Sequence, residues 1–332
     1  MRKFLISFAT TFVLLGIALV VYFALGNEEY LGLAENSAQL AIIDIEPPTH
    51  VELDIPTTAP MPPYESEPAP APDEEPEPAP PQNQLPPDFN PPTYRIDNLI
   101  RQADGNVSLL FKNLETGFVH TYNADRVYFG ASLNKLNHAL YVFELAERGL
   151  IDLNHVHTFT EADIRGGTGQ IQHMEPGTQF TTRELLRRSM VHSDNVAQHM
   201  LIRHTAGISF TYNDFVAQIG ANPNFIGNIG AQNTNVHDKA IWMYAIHNYI
   251  NGDGLHSHYF RAALLATPGF IMSDYPMARK YGWATASFHD AAIVYAPSPY
   301  ILIILSDIDE GDATLFANLS LRVQAFNREW FE

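Results

Sequence analysis

The feature that most constrains this 332-residue chain is a long stretch with no means of folding. From Asn27 to Tyr94 there is no lysine or arginine but fourteen Asp or Glu. Pro47 to Pro92 is dense in proline, with Pro-Ala-Pro and Glu-Pro-Glu-Pro runs. Such a segment buries too little apolar surface to offset the entropy of ordering it. It is expected to be an extended, polyproline-like spacer, reaching roughly 3 Å per residue and on the order of 100 Å in all. A ligand for a proline-binding module is the alternative use of this composition.

Upstream of the spacer, Phe4 to Leu25 is uncharged and mostly apolar, with Arg2 and Lys3 before it and Glu28 and Glu29 after it. A run of this length spans a bilayer as a helix. Positive charge on its N-terminal side predicts that the rest of the chain lies outside the cytoplasm. The alternative is a cleaved signal peptide, with Ala24, Leu25 and Gly26 as cleavage positions. The expected organisation is a transmembrane anchor (or signal peptide) over 1–26, an acidic Pro-rich linker over 27–93, and a folded domain over 94–332. The expected location is the cell membrane, single-pass, with the domain extracellular. The absence of cysteine excludes lipid acylation, disulfides, thiolate metal sites and cysteine nucleophiles.

The net charge of -18 comes largely from the spacer. Downstream of Tyr94 only 23 acidic residues face 17 basic ones. No basic stripe marks a nucleic-acid surface, so no nucleic-acid partner is expected. Fourteen histidines are present, and His155, His157, His256 and His258 read as surface loop residues. No H-E-x-x-H or comparable ligand set occurs, so no metal is expected.

Within the domain, Val107 to Phe111 and Phe118 to Tyr122 read as a hairpin across the turn Asn113 to Gly117. Helical patterns follow at Ser132 to Arg148, closed by Gly149, then at Thr182 to Met190, Val196 to His204, and His237 to Asn251. Lys280 to Ala284, Ala291 to Tyr295 and Tyr300 to Leu305 read as three successive strands, and Ala313 to Trp330 as a last helix. Strands, then helices, then strands and a closing helix predict an α+β fold. In it an antiparallel sheet joins the first strands to the last, flanked by helices that include a helical subdomain.

Chemistry is concentrated in three short stretches. Ser132 and Lys135 stand three apart at the start of a helical pattern, so hydroxyl and ammonium share a face. A serine becomes a nucleophile when a neighbouring base takes its proton. A lysine can be that base once burial or a nearby cation lowers its pKa. His192-Ser193-Asp194-Asn195 follows between two helices, and Lys280-Tyr281-Gly282-Trp283 opens a strand. A structural reading stands beside each: a capping turn for Ser193 and Asn195, a surface lysine on a strand edge for Lys280, and core packing for Tyr281 and Trp283. His289 and Asp290 read as an ion pair or turn and not as part of a triad.

S-x-x-K, then S-D-N, then K-x-G, in this order, resembles the penicillin-recognising serine hydrolases. The likeness is greatest to class A β-lactamases and their membrane-anchored relatives among penicillin-binding proteins. Gly166 to Gln170, Pro176 to Thr178, Thr182 to Leu186 and Phe288 to Val294 are also similar to that family. The resemblance implies the β-lactamase/transpeptidase-like fold and acyl transfer without a cofactor. It implies Ser132 as nucleophile, Lys135 as its base, Ser193 as proton relay, and Asn195 as holder of Lys135 and the substrate amide. Lys280 would supply positive potential. The N–H groups of Ser132 and Trp283 would form the oxyanion hole, with Gly282 allowing close approach.

Two departures qualify what is expected. Tyr281 stands where the family usually has Thr or Ser to help bind the substrate carboxylate. Class A enzymes also carry a Glu-x-x-Asn segment that positions the deacylating water. Between Asn195 and Lys280 this chain has no glutamate; its acids there are Asp214, Asp238, Asp253 and Asp274. Asp214 and Asp238 read as helix caps or surface charges. Gly220 to Asn235 looks like a trimmed version of the family's loop. The expectation is a serine hydrolase acylated by β-lactams or D-Ala-D-Ala-type peptides of peptidoglycan, with slow deacylation. The alternatives are a DD-carboxypeptidase-like penicillin-binding protein or a catalytically weak cell-wall binding or sensor module.

Overall fold

The computed structural model describes residues 85–86, 89–225, 233–308 and 313–332. The expected anchor and nearly all of the expected spacer lie outside these residues. No helix among the described residues is long and apolar enough to cross a membrane.

The frame is a five-stranded antiparallel sheet in the order β2-β1-β9-β8-β7. Its strands are β1 (Val107–Asn113), β2 (Val119–Tyr122), β7 (Met277–Ala284), β8 (Ser287–Val294) and β9 (Tyr300–Ser306). The predicted hairpin and the three late strands are therefore all present. They join as expected, through β1 paired with β9 from Val107↔Ser306 to Asn113↔Tyr300.

Every residue of β8 and β9 is buried. Alternation divides β9 between two cores. Ile301, Ile303 and Leu305 enter one, and Tyr300, Leu302 and Ile304 the other. The second core is closed by α1 (Tyr94–Arg101) and α8 (Ala313–Phe331), through Ile96, Ile100, Phe316, Leu319 and Val323. A sheet covered on both faces explains an apolar run that does not alternate with polar residues.

On the other face lies the helical body. It comprises α2 (Lys135–Glu147), α3 (Thr182–Val191), α4 (Asn195–Thr205), α5 (Tyr212–Ile219), α6 (Val236–Ile250) and α7 (Ser257–Leu265). The helix ends follow local chemistry. Thr181 caps α3 by accepting from the Glu184 N–H. Thr211 and Asp214 form a capping box on α5, as expected for Asp214. Two small two-stranded sheets complete the body. β3 (Tyr128–Phe129) pairs with β6 (Asn233–Thr234), and β4 (Val156–Thr158) with β5 (Gln179–Thr181).

Candidate active site

Ser132 does not begin the α-helix, as the pattern predicts. It lies in a 3-10 turn, Ala131–Asn134, that runs straight into α2. The residue before it, Ala131, holds φ at +46°, a left-handed conformation that costs a non-glycine residue of order 1 kcal/mol or more. Strained backbone at this point presents Ser132, which stays partly exposed, at the open end of a helix that is otherwise almost wholly buried.

One turn on, Lys135 is 8% exposed. Its Nζ donates to Asn195 Oδ1 at 2.8 Å, to Ser193 Oγ at 3.2 Å, and to the Ser193 carbonyl. Burial pushes its pKa down to about 7, against the opposing pull of the Asp194 carboxylate. A neutral amine is thus accessible near neutral pH, which a general base requires. Lys280, expected as a possible surface lysine, is fully buried. Its pKa is lowered well below the ordinary value, first by burial and then by repulsion from Lys135. The repulsion between the two amines thus weighs on Lys280, while burial is what lowers the pKa of Lys135.

Asp194 holds the second stretch in place. One carboxylate oxygen accepts from the Val196 and Ala197 N–H groups and so caps α4. The other accepts from the Gln170 and Ile171 N–H groups of the preceding loop. Thr168 Oγ1 donates to the Ser193 carbonyl, and Asn195 Nδ2 donates to the Gly166 carbonyl. The loop reaches Asp194 only because Gly169 has φ +114° and no side chain. A β-carbon there would lie 2.2 Å from Asp194 Cγ. Ser193 itself takes φ +52°, which turns its carbonyl and hydroxyl toward Lys135.

The third stretch lies on β7, the sheet's edge strand, where it passes the serine turn. A β-carbon on Gly282 would lie 2.6 Å from the Leu133 nitrogen and 3.0 Å from the Gly130 oxygen. Lys280 Nζ donates to the Tyr281 carbonyl and lies 4.1 Å from the Tyr281 ring centroid. Tyr281 is half-buried and packs edge-on against Phe270. Its ring therefore covers Lys280, in place of the short hydroxyl side chain the resemblance implies. Trp283 is 49% exposed and meets Phe288 edge-on, so it is wall more than core.

Three expectations need correction. Asp238 is neither a cap nor a surface charge: Asn235 caps α6, and Asp238 is buried, accepting from the Asn222 N–H at 2.7 Å. His289 and Asp290 form no pair, because adjacent strand residues point to opposite faces. His289 receives the Ser306 N–H on Nδ1 and so donates from Nε2 to the Phe129 carbonyl. Asp290 accepts from the Phe270 and Ile271 N–H groups. Finally, His157 is not a surface loop residue but lies buried on β4.

Sequence reading also missed Lys239. Fully buried on α6, it donates to Asn134 Oδ1 at 2.9 Å and Asn137 Oδ1 at 2.8 Å. It thereby ties the serine turn and α2 to the helix that follows residues 220–235. Within that stretch β6 pairs with the strand leading to Ser132; residues 226–232 lie outside those described.

The family profile described as "Beta-lactamase enzyme family" matches residues 91–326. Among solved structures, that of PBP-A superposes with a TM-score of 0.64 at 22% identity, over 75% of this chain and 99% of that one. A point mutant of PBP-A, solved as its acyl-enzyme complex with penicillin G, gives 0.64 at 23% identity, over 75% and 100%. A β-lactamase from Sphaerobacter thermophilus gives 0.64 at 17% identity, over 72% and 98%. The fold is thus β-lactamase/transpeptidase-like. No curated protein matches the chain.

Proposed function

Since this chain belongs to the β-lactamase enzyme family, we propose that it is a serine hydrolase acylated on Ser132 by β-lactams or D-Ala-D-Ala-type peptides. The observation that carries this reading is the Lys135 amine. It is buried, held near neutrality, and hydrogen-bonded to both Ser193 Oγ and Asn195 Oδ1.

Lys135 takes the Ser132 proton as Oγ attacks the carbonyl carbon. The developing oxyanion is met by backbone N–H groups of Ser132 and of Trp283, on the strand that Gly282 brings against the serine turn. Ser193, within reach of Lys135, passes the proton to the departing nitrogen. The products are an acyl-enzyme and, for a peptide, a free amine; a β-lactam nitrogen stays tethered to the acyl group. Hydrolysis then regenerates Ser132.

Deacylation is slow in this reading. No glutamate lies between Asn195 and Lys280, and Asp238 is committed to the Asn222 N–H. This favours a penicillin-binding-protein-like activity over an efficient β-lactamase. The penicillin G acyl-enzyme captured for the PBP-A mutant is consistent with that preference. The reading extends to location: Phe4 to Leu25 anchors the chain, and the acidic spacer carries the domain outside the membrane toward the wall.

The test is fluorescent-penicillin labelling of the full-length chain, followed by intact mass over time, with Ser132→Ala as control. A long-lived adduct absent from the variant supports the whole reading. Rapid turnover overturns the slow-deacylation part. No adduct with any β-lactam or D-Ala-D-Ala peptide, in a folded protein, leaves a binding module as the better account. Protease accessibility of the domain on intact cells tests its location.

A further inference from the structure

Two neighbouring histidines and a third distant in the sequence meet at the end of α4 remote from Asn195. His155 precedes β4, His157 lies on it, and His204 is in the last turn of α4. One ring nitrogen from each lies within 4.8 Å of the other two. The ring centroids are 4.7 Å (His155–His157), 4.9 Å (His155–His204) and 4.4 Å (His157–His204) apart. We propose that His155, His157 and His204 bind one divalent transition-metal ion of the zinc–copper class, clamping α4 to the β4–β5 sheet.

Protonation and burial fit a ligand set. Thr182 Oγ1 donates to the His155 carbonyl and so receives the proton on His157 Nε2, leaving the Nδ1 lone pair for an ion. This is the outer-shell partner that metal-bound imidazoles have in common. His204 Nε2 is buried with no hydrogen-bond partner among the described residues. An orphaned buried ring nitrogen carries a desolvation cost that a coordinated ion would relieve.

The donors also select the ion. Three imidazoles suit zinc, copper or nickel and exclude magnesium or calcium, which need oxygen ligands. Nitrogens bound at about 2.0–2.1 Å lie closer together than 4.8 Å, so binding must draw the rings inward. His155 is exposed and free to make that movement, and it opens a path for the ion from solvent. Three protein ligands leave a position for water. Asp163 stands nearby, but it is engaged by Arg203 at 2.6 Å and by Thr160, so it is not counted as a fourth ligand.

The clamp would act at a distance. His204 lies nine residues after Asn195, or about 14 Å along the helix axis. Fixing that end of α4 restrains the helix that presents Asn195 to Lys135.

The test uses the metal-stripped full-length chain in mild detergent, titrated with Zn2+ by calorimetry and with Co2+ by visible absorption. The expected result is one ion per chain, a tetrahedral-type Co2+ band, and a rise in melting temperature with Zn2+. His155→Ala, at an exposed position that leaves the fold intact, should weaken binding by more than about 100-fold and abolish the rise. Thr182→Val should weaken it by about tenfold through the outer shell. X-ray absorption on the Zn2+-loaded chain should show three imidazoles. No binding, binding unchanged in His155→Ala, or a shell of fewer than three imidazoles would each overturn the proposal.

Discussion

Gly282 and Leu133 touch backbone to backbone: a β-carbon on Gly282 would lie 2.6 Å from the Leu133 nitrogen. The edge strand and the serine turn are therefore one surface. Gly282→Ala must push them apart, since neither neighbour is a flexible side-chain tip. Displacing the reacting group by about 1 Å costs about 100-fold in rate. We expect the Ser132 acylation rate to fall by about that factor, with far-UV circular dichroism unchanged. A rate within threefold of wild type would show that the turn and strand adjust freely.

Acylation should rise with pH through about 7. Lys135 acts as a base only when neutral, and burial sets its pKa at about 7. Below that value each unit of pH lowered should slow acylation about tenfold; above it the rate should level off. Lys135→Arg fixes the charge, because a guanidinium stays protonated, and should cost at least about 1000-fold at every pH. The measurement is the second-order rate constant of penicillin labelling from pH 5 to 9. A flat profile would remove Lys135 from the role of base.

Asp194→Asn should destabilise the domain without removing any group that meets the substrate. The carboxylate accepts four backbone N–H groups, two in α4 and two in the preceding loop. An amide offers an acceptor to only one of the two pairs. Leaving the other buried pair unmatched costs about 3 kcal/mol, which for a domain of this size lowers the melting temperature by about 10 °C. A change under 2 °C, read by differential scanning calorimetry, would show that the loop does not depend on this residue.

Asp238→Asn should leave the lifetime of the acyl adduct unchanged within about twofold. Its carboxylate serves the Asn222 N–H and is not held out toward the site. Burial raises its pKa, which makes an amide substitution electrostatically mild. Intact-mass kinetics of penicillin release provide the readout. A tenfold longer lifetime in the variant would identify Asp238 as the group that activates the deacylating water.

The sheet and the main helices were legible because local pattern and tertiary role agree. Tyr300 to Leu305 is apolar throughout and is covered on both faces. Thr181, Thr211 and Asn235 each accept the N–H of a residue three positions on. Legibility failed where a polar residue is buried by a partner distant in the chain. Lys239 sits in a polar first turn that resembles a solvent-facing helix start. Only the fold shows that Asn134 and Asn137 lie opposite its amine. The same holds for His204, about fifty residues from His155 and His157, with no spacing rule to link them. Lys280 sits on an edge strand, where exposure is the ordinary expectation, and the serine turn packed beside β7 reverses it.

The pairing of β1 with β9 carries a consequence for how the domain is made. Val107 lies opposite Ser306, so strands from the two ends of the domain are neighbours in mid-sheet. Contacts this distant in sequence are slow to close. β8 and β7, with Lys280 and Gly282, attach to the sheet only through β9. A nascent chain that lacks β9 has nothing against which to seat the edge strand beside Ser132. Completion of the site therefore waits on β9, and a chain cut before that strand would be inert and also unable to hold its helices against a sheet.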